Sequence, residues 1–148
     1  TGLNSGLMIP QYTTAALASE NKGLCFPASA DSIPTSLGQE DHVSMGSIGG
    51  RKALRVIDNV EKIIGIELLY AAQAMDYHAP LQSGKIMTAI YNHVRSKIEP
   101  VVQDRILYED MEEAIQLIQS GELLKLAYST ASQEGLEFDT KWGYLFTF

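Results

Sequence analysis

The chain has 148 residues, of which 11 are basic and 18 acidic, so its formal charge is −7, and 45% of its residues are hydrophobic. At this length a single domain with a sizeable core is expected. The negative charge excludes nucleic-acid binding through phosphate neutralisation and disfavours anionic membrane surfaces. The single cysteine, Cys25, excludes an internal disulfide and a metal site of the Cys-x-x-Cys kind. The sequence has neither a long apolar run nor a basic leader, which predicts a soluble, cytoplasmic protein. It begins at Thr1 without an initiator methionine, which indicates processing or a piece of a longer protein.

The first predicted element is an alanine-rich helix over residues 7–24. Pro10 is compatible with the first turn of this helix, and Gly23 lies where a left-handed C-terminal residue is expected. Cys25 is interpreted as a small buried hydrophobic residue, because no base or cation adjoins it in the sequence. An irregular, polar segment of about fifteen residues follows, and loops of that length are usually functional or disordered.

A much longer helix is predicted over residues 43–77, where apolar residues recur at helical spacing. About 35 residues in this conformation would form a rod of roughly 50 Å. The rest of so short a chain cannot cover such a rod on all sides, so its length argues for partners. Its four glycines are interpreted as places where another backbone comes close: Gly46, Gly49, Gly50 and Gly65.

Shorter helices are predicted over 83–96 and 108–119, the second with acidic residues in its first turn, where the helix dipole favours them. The aromatic stretch 135–148 fits either a strand or an unstructured tail, and both alternatives stay open. The predicted fold is all-α: an elongated helical bundle with one long central helix, forming part of a larger oligomeric helical core.

Candidate chemistry is confined to one segment, at the junction between the irregular segment and the long helix. Gln39, Glu40, Asp41 and His42 place an amide, two carboxylates and an imidazole side by side. Three interpretations stay open: an acidic helix N-terminus, an active-site loop and a metal site. The metal site is the weakest of them, because adjacent residues point in different directions.

Four blocks of the sequence together resemble the histidine ammonia-lyases, a branch of the aromatic amino-acid lyases. The blocks lie at residues 4–9, 16–22, 27–36 and 39–45, and read NSGLMI, ALASENK, PASADSIPTS and QEDHVSM. A weaker likeness continues through ELLYAAQ at 67–73, so that the resemblance covers about residues 1–126. This portion is expected to contain an active-site loop at about 25–42 and the long helix at about 43–77, and residues 127–148 form a tail of unknown structure.

The resemblance implies a catalytic role for Glu40. Phenylalanine and tyrosine enzymes of the family resemble Asn-Gln-Asp at this position, whereas a carboxylate suits a substrate whose imidazole N–H can donate to it. Such a carboxylate orients the imidazole or relays a proton from the amino group. The resemblance also implies that Met8 lines the substrate pocket as a soft apolar wall and that Gln39 lies behind the pocket or at its rim. His42 is interpreted as mainly structural, holding the loop onto the helix.

The family reaction converts L-histidine into trans-urocanate and ammonia, and it depends on a methylidene-imidazolone group built from an Ala-Ser-Gly tripeptide. This sequence contains no Ala-Ser-Gly. The chain therefore resembles only the C-terminal portion of the enzyme, and alone it is expected to be inactive, with no cofactor or metal of its own. The likeness further implies a homotetramer whose active sites draw on several chains. The alternative is a non-catalytic helical oligomerisation piece.

Overall fold

The computed structural model describes residues 5–30, 33–39 and 44–136. Within these residues the chain forms five α-helices and one short 3-10 helix, without a β-strand, which confirms the all-α prediction. The helices are α1 (Met8–Leu24), α2 (Gly46–Tyr77), α3 (Lys85–Lys97), α4 (Tyr108–Gln119) and α5 (Glu122–Gln133), with the 3-10 turn at Ser36–Gly38. None of the described helices is both long and apolar enough to cross a membrane.

The long helix α2 is the centre of the fold, and its 32 residues extend over about 48 Å. Helix α1 runs antiparallel to it, since Leu7 contacts Tyr70 while Asn21 contacts Asn59. Helix α4 packs along another side, also antiparallel, with Gln119 donating a hydrogen bond to Glu61 at 3.0 Å. This arrangement makes α2 the element on which both neighbours are positioned.

The hydrophobic core surrounds the C-terminal half of α2. Its buried side chains come from α2, from α3 and the residue that follows it, and from α4, and α5 adds a partly buried side chain, Leu123. The core members are Leu69, Ala72, Val94, Ile98, Ala114 and Leu117. Helices α3 and α5 pack antiparallel beside this core, where His93 and Glu122 approach to 3.2 Å.

An ionic network attaches the end of α2 to α3. The Asp76 carboxylate accepts hydrogen bonds from the Tyr91 hydroxyl at 2.6 Å and from the Arg95 guanidinium at 2.6 and 3.1 Å. Arg95 also donates to the carbonyl oxygen of Ile98 at 3.1 Å. Both charged side chains are largely buried, at 10% and 17% exposure, so their mutual pairing offsets the cost of desolvation.

The N-terminal half of α2 carries apolar side chains that no other described element covers. Leu54 is 69% exposed and Ile57 53%, and Val60 and Ile64 continue the same three- and four-residue spacing. Among the described residues, the prediction that the chain cannot sheath its own long helix is therefore confirmed.

The interpretation of the helical glycines is confirmed at Gly65, and it stays a prediction at the other three. A Cβ atom at Gly65 would lie 2.7 Å from the Ile115 Cα atom, so α2 and α4 meet there with no room for a side chain. At Gly46, Gly49 and Gly50 no backbone atom of another described element of this chain lies within 4 Å of an added Cβ atom. These three residues lie in the part of α2 that α4 does not reach.

Other predictions need correction around the ends of α1 and α4. Gly23 lies inside α1, which ends at Leu24 with Cys25 in a right-handed conformation whose N–H bonds to Asn21. The Cys25 side chain is exposed rather than buried. Helix α5 was not predicted. It begins within residues 1–126, which carry the family resemblance, and continues into the predicted tail 127–148. Residues 137–148 of that tail lie outside the described residues.

Candidate functional site

A groove of about 560 Å³ lies between the first half of α1 and the middle of α2. Met8, the first residue of α1, forms part of its wall and is 56% exposed. Ile63 and Ile66 supply the apolar surface from α2. The full lining is Leu7, Met8, Gln11, Thr14, Ile63, Ile66, Glu67 and Tyr70.

The groove combines a mostly apolar surface with a few polar groups, an arrangement typical of sites for small ligands. The polar residues of its lining are Gln11, Thr14, Glu67 and Tyr70. The Tyr70 hydroxyl donates a hydrogen bond to the carbonyl oxygen of Leu7, which attaches the start of α1 to α2.

Burial raises the pKa of Tyr70 above its ordinary value of 10.0, because the phenolate would lose water contacts. The pKa of Tyr91 is also raised, chiefly by its hydrogen bond to the Asp76 carboxylate. In both cases the unfolded chain releases the phenolic proton at a lower pH than the folded chain does. The folded state is therefore at its full stability below the ordinary tyrosine pKa and loses stability as the pH rises through the raised values.

We expect the free energy of unfolding to fall above a pH of about 10, and Tyr70→Phe to make this fall less steep. The measurement is urea unfolding of the chain at a series of alkaline pH values. Tyr91→Phe is the matched variant, and the double variant should show the flattest profile. If Tyr70→Phe left the dependence of the free energy of unfolding on pH unchanged, the loss of stability could not be attributed to the phenolic proton of Tyr70 in the groove.

At its C-terminal end, α1 is hydrogen-bonded to α2, and these contacts position the start of the irregular segment. Asn59 of α2 is 3% exposed and donates hydrogen bonds to Glu20 at 3.1 Å and to Asn21 at 2.9 Å. Beyond the helix, the Lys52 ammonium donates to the carbonyl oxygen of Phe26 and lies 5.9 Å from the centre of its ring. The first residues of the irregular segment are thus held on α2.

The described part of the irregular segment ends with a tight turn just before Gln39. Ser36 and Leu37 both have positive φ angles, 54° and 58°, which are unfavourable for residues with a Cβ atom. Strain of this kind clusters at functional sites. Gln39 is exposed, its N–H donates to the Ser36 carbonyl at 3.2 Å, and it is not among the residues that line the groove.

The other predicted site residues lie outside the described residues: Glu40, Asp41 and His42. The structure therefore brings Met8 to the groove, leaves Gln39 at the end of the strained turn, and does not test the role of Glu40. Of the remaining histidines, His78 is exposed at the end of α2, and His93 is half-buried and contacts Glu122. No group of three or more metal-ligating side chains occurs among the residues that the structure describes.

Tyr70, Glu67 and Asp104 are the residues that sequence reasoning missed. Tyr70 and Glu67 belong to a block that resembles the family, and their spacing of three places both on one helix face. That spacing could have identified the two residues as neighbours in a site. Asp104 bonds to residues 98 and 99 positions away, and no local pattern predicts such a contact.

Curated relatives match most of this chain. The histidine ammonia-lyase of Natranaerobius thermophilus is 54% identical over 123 residues, which cover 83% of this chain and 24% of that protein. The histidine ammonia-lyase of Caldanaerobacter subterraneus subsp. tengcongensis is 52% identical over 122 residues, again 24% of its length. The chain thus spans about a quarter of the length of the curated relatives it matches.

Solved structures share the fold. The histidine ammonia-lyase of Trypanosoma cruzi superposes with a TM-score of 0.82 at 49% identity, covering 87% of this chain and 25% of that one. A tyrosine aminomutase from Streptomyces globisporus also gives a TM-score of 0.82, at 35% identity, covering 88% of this chain and 25% of that one. A family model described as aromatic amino acid lyase matches residues 1–96, close to two thirds of the sequence. On these grounds the chain belongs to the aromatic amino acid lyase family.

Proposed function

We propose that this chain is the C-terminal portion of a histidine ammonia-lyase, a carbon–nitrogen lyase that converts L-histidine into trans-urocanate and ammonia in the cytoplasm. The observation that carries the proposal is the Gln39-Glu40-Asp41-His42 stretch in a chain 54% and 52% identical to two proteins named histidine ammonia-lyase. A carboxylate at Glu40 can accept the N–H of an imidazole, which a phenyl ring cannot offer.

Three residues of this chain serve the substrate in the proposed site. Glu40 accepts a hydrogen bond from the imidazole and so orients the ring, or it relays a proton from the amino group. Met8 is the soft apolar wall beside the ring, which its exposure on the groove supports. Gln39 lies at the rim, next to Glu40 in the sequence.

The electrophile of the family is a methylidene-imidazolone group formed from Ala-Ser-Gly, which activates the substrate amino group when present. The 148 residues contain no Ala-Ser-Gly, so no residue of this chain fits as its source. We place this group on polypeptide outside these residues, and the chain alone should not turn over histidine. The active site is then composite, and the groove beside Met8 faces the polypeptide that completes it.

A second candidate function is helical oligomerisation without catalysis. The observation that favours it is the uncovered apolar spacing on α2, where Leu54 and Ile57 are 69% and 53% exposed. Such a surface is typical of a helix–helix interface between chains. A homotetramer, as proposed for the whole enzyme, would use the same surface, so assembly alone does not separate the two functions.

A chimera separates them. The matched segment of the Natranaerobius thermophilus enzyme would be replaced by the aligned residues of this chain, and urocanate would be followed by its ultraviolet absorbance. We expect the chimera to form urocanate and the isolated 148-residue chain to form none. A chimera that assembles at the size of the parent enzyme without forming urocanate would favour oligomerisation alone.

A further inference from the structure

The start of α1 is held by a carboxylate from a distant part of the chain. Asp104 accepts the N–H of Ser5 through Oδ2 at 3.0 Å and the N–H of Gly6 through Oδ1 at 2.8 Å. These are backbone donors just before the first turn of a helix whose own N-cap residue, Leu7, makes no side-chain hydrogen bond. Hydrogen bonds to an ionised carboxylate are roughly twice as strong as those between neutral groups.

The close approach depends on glycine at position 6. A Cβ atom there would lie 2.8 Å from the Asp104 Oδ1 atom and 3.0 Å from its Cγ atom. Any other residue at this position would push the carboxylate away from the two N–H groups.

The loop that presents Asp104 is itself fixed at several points. Next to Asp104, the Arg105 guanidinium donates to the carbonyl oxygens of Pro100 at 3.1 Å and Glu99 at 2.8 Å. The same guanidinium forms a two-pronged pair with Asp110 of α4, at 2.9 and 3.1 Å. The loop therefore has a defined shape relative to α4.

A second attachment fixes this loop to α2. The buried amide oxygen of Gln73 accepts the N–H of Val101 at 2.7 Å. Helix α2 also carries Tyr70, which bonds to the Leu7 carbonyl. The start of α1 is therefore attached to α2 twice, directly through Tyr70 and indirectly through the loop that carries Asp104. Met8 is two residues beyond Gly6 and one beyond Leu7, so its position on the groove follows from these two restraints.

We propose that Asp104 is a positioning residue for substrate binding, acting through the start of α1 to set the place of Met8 in the groove. The substrate part of this inference rests on the proposed function. The contact between Asp104 and the backbone does not, so the two parts are tested separately.

The first test uses the 148-residue chain. We expect Asp104→Ala to make the amide hydrogens of Ser5 and Gly6 exchange about tenfold faster, which corresponds to losing about 1.4 kcal/mol of local protection. Asp104→Asn, which keeps one acceptor oxygen, should give an intermediate rate. Asp58→Ala is the matched control, since Asp58 pairs with Lys62 on the surface of α2 far from this contact. Unchanged exchange at both amides in Asp104→Ala would overturn the proposed contact.

The second test uses the chimera, with KM and kcat for L-histidine measured per folded active site. We expect Asp104→Ala to raise KM about tenfold and to change kcat much less, because a misplaced pocket wall weakens substrate and transition state alike. A purely structural role would reduce the amount of folded enzyme and leave KM as it was, and that result would overturn the positioning role. A chimera that is inactive before any substitution would instead count against the proposed function, while the exchange test would still decide the contact.

Discussion

Glu40→Gln in the chimera should lower turnover of L-histidine by about 100-fold or more, the range typical for loss of an acid–base group. Glutamine keeps the size of the side chain and one acceptor oxygen, but it carries no charge and cannot take up a proton at neutral pH. The effect should appear in kcat as well as in kcat/KM, because the carboxylate acts on the reacting substrate and not only on its binding. The measurement is the initial rate of urocanate formation.

The control for this variant is Glu109→Gln, which makes the same chemical change on an exposed residue in the first turn of α4. We expect it to leave the rate unaltered. The double variant Gln39→Asn with Glu40→Gln would resemble the phenylalanine and tyrosine branch at this position and should lose histidine turnover equally. Turnover of Glu40→Gln at the level of the unsubstituted chimera would remove Glu40 from the mechanism.

The second large effect is expected at the crossing of α2 and α4. A Cβ atom at Gly65 would meet the Cα atom of Ile115 at 2.7 Å, its Cγ1 atom at 2.8 Å and its N atom at 2.9 Å. Two of these atoms belong to the backbone, so the contact cannot be relieved by rotating a side chain. We expect Gly65→Ala to lower the free energy of unfolding by about 3 kcal/mol, as overpacking of a close contact does. Urea unfolding of the chain followed by circular dichroism measures it.

Gly50→Ala is the matched control within the same helix. Within the part of the chain that the structure describes, no atom outside the helix lies within 4 Å of a Cβ at Gly50, so we expect only the intrinsic helix preference to change there. This variant should raise the free energy of unfolding by about 1 kcal/mol. Equal effects of the two substitutions would mean that α2 and α4 do not meet at Gly65.

The helices of this fold were predictable because the regular spacing of apolar residues that identifies a helix is a local property of the sequence. The apolar periodicity placed α1, α2, α3 and α4 within a few residues of their observed bounds, and Gln119 was the predicted end of α4. What failed depended on contacts between distant elements. Gly23 looks like a helix end but lies within α1, and whether Cys25 is covered depends on neighbours that only the fold supplies.

In the candidate site, too, some features were predictable from the sequence and others depended on contacts between distant residues. The role of Met8 was predicted from a family resemblance and stays a prediction, and Met8 lies in the wall of the groove. Tyr70 was recognisable only as part of a helical face, and Asp104 is joined to Gly6 across 98 residues, so the two groups that fix the start of α1 needed the fold. The 148 residues contain no Ala-Ser-Gly, so under the proposed function the electrophile lies on other polypeptide and this sequence could predict only one part of the site.

The most direct measurement is a crystal structure of the chimera with an imidazole-bearing substrate analogue bound. It reports the distance between the Glu40 carboxylate oxygens and the nearer ring nitrogen. The account predicts a hydrogen bond of about 3 Å, with Met8 against the face of the ring. A Glu40 side chain that extends into bulk water while the imidazole binds elsewhere would contradict it.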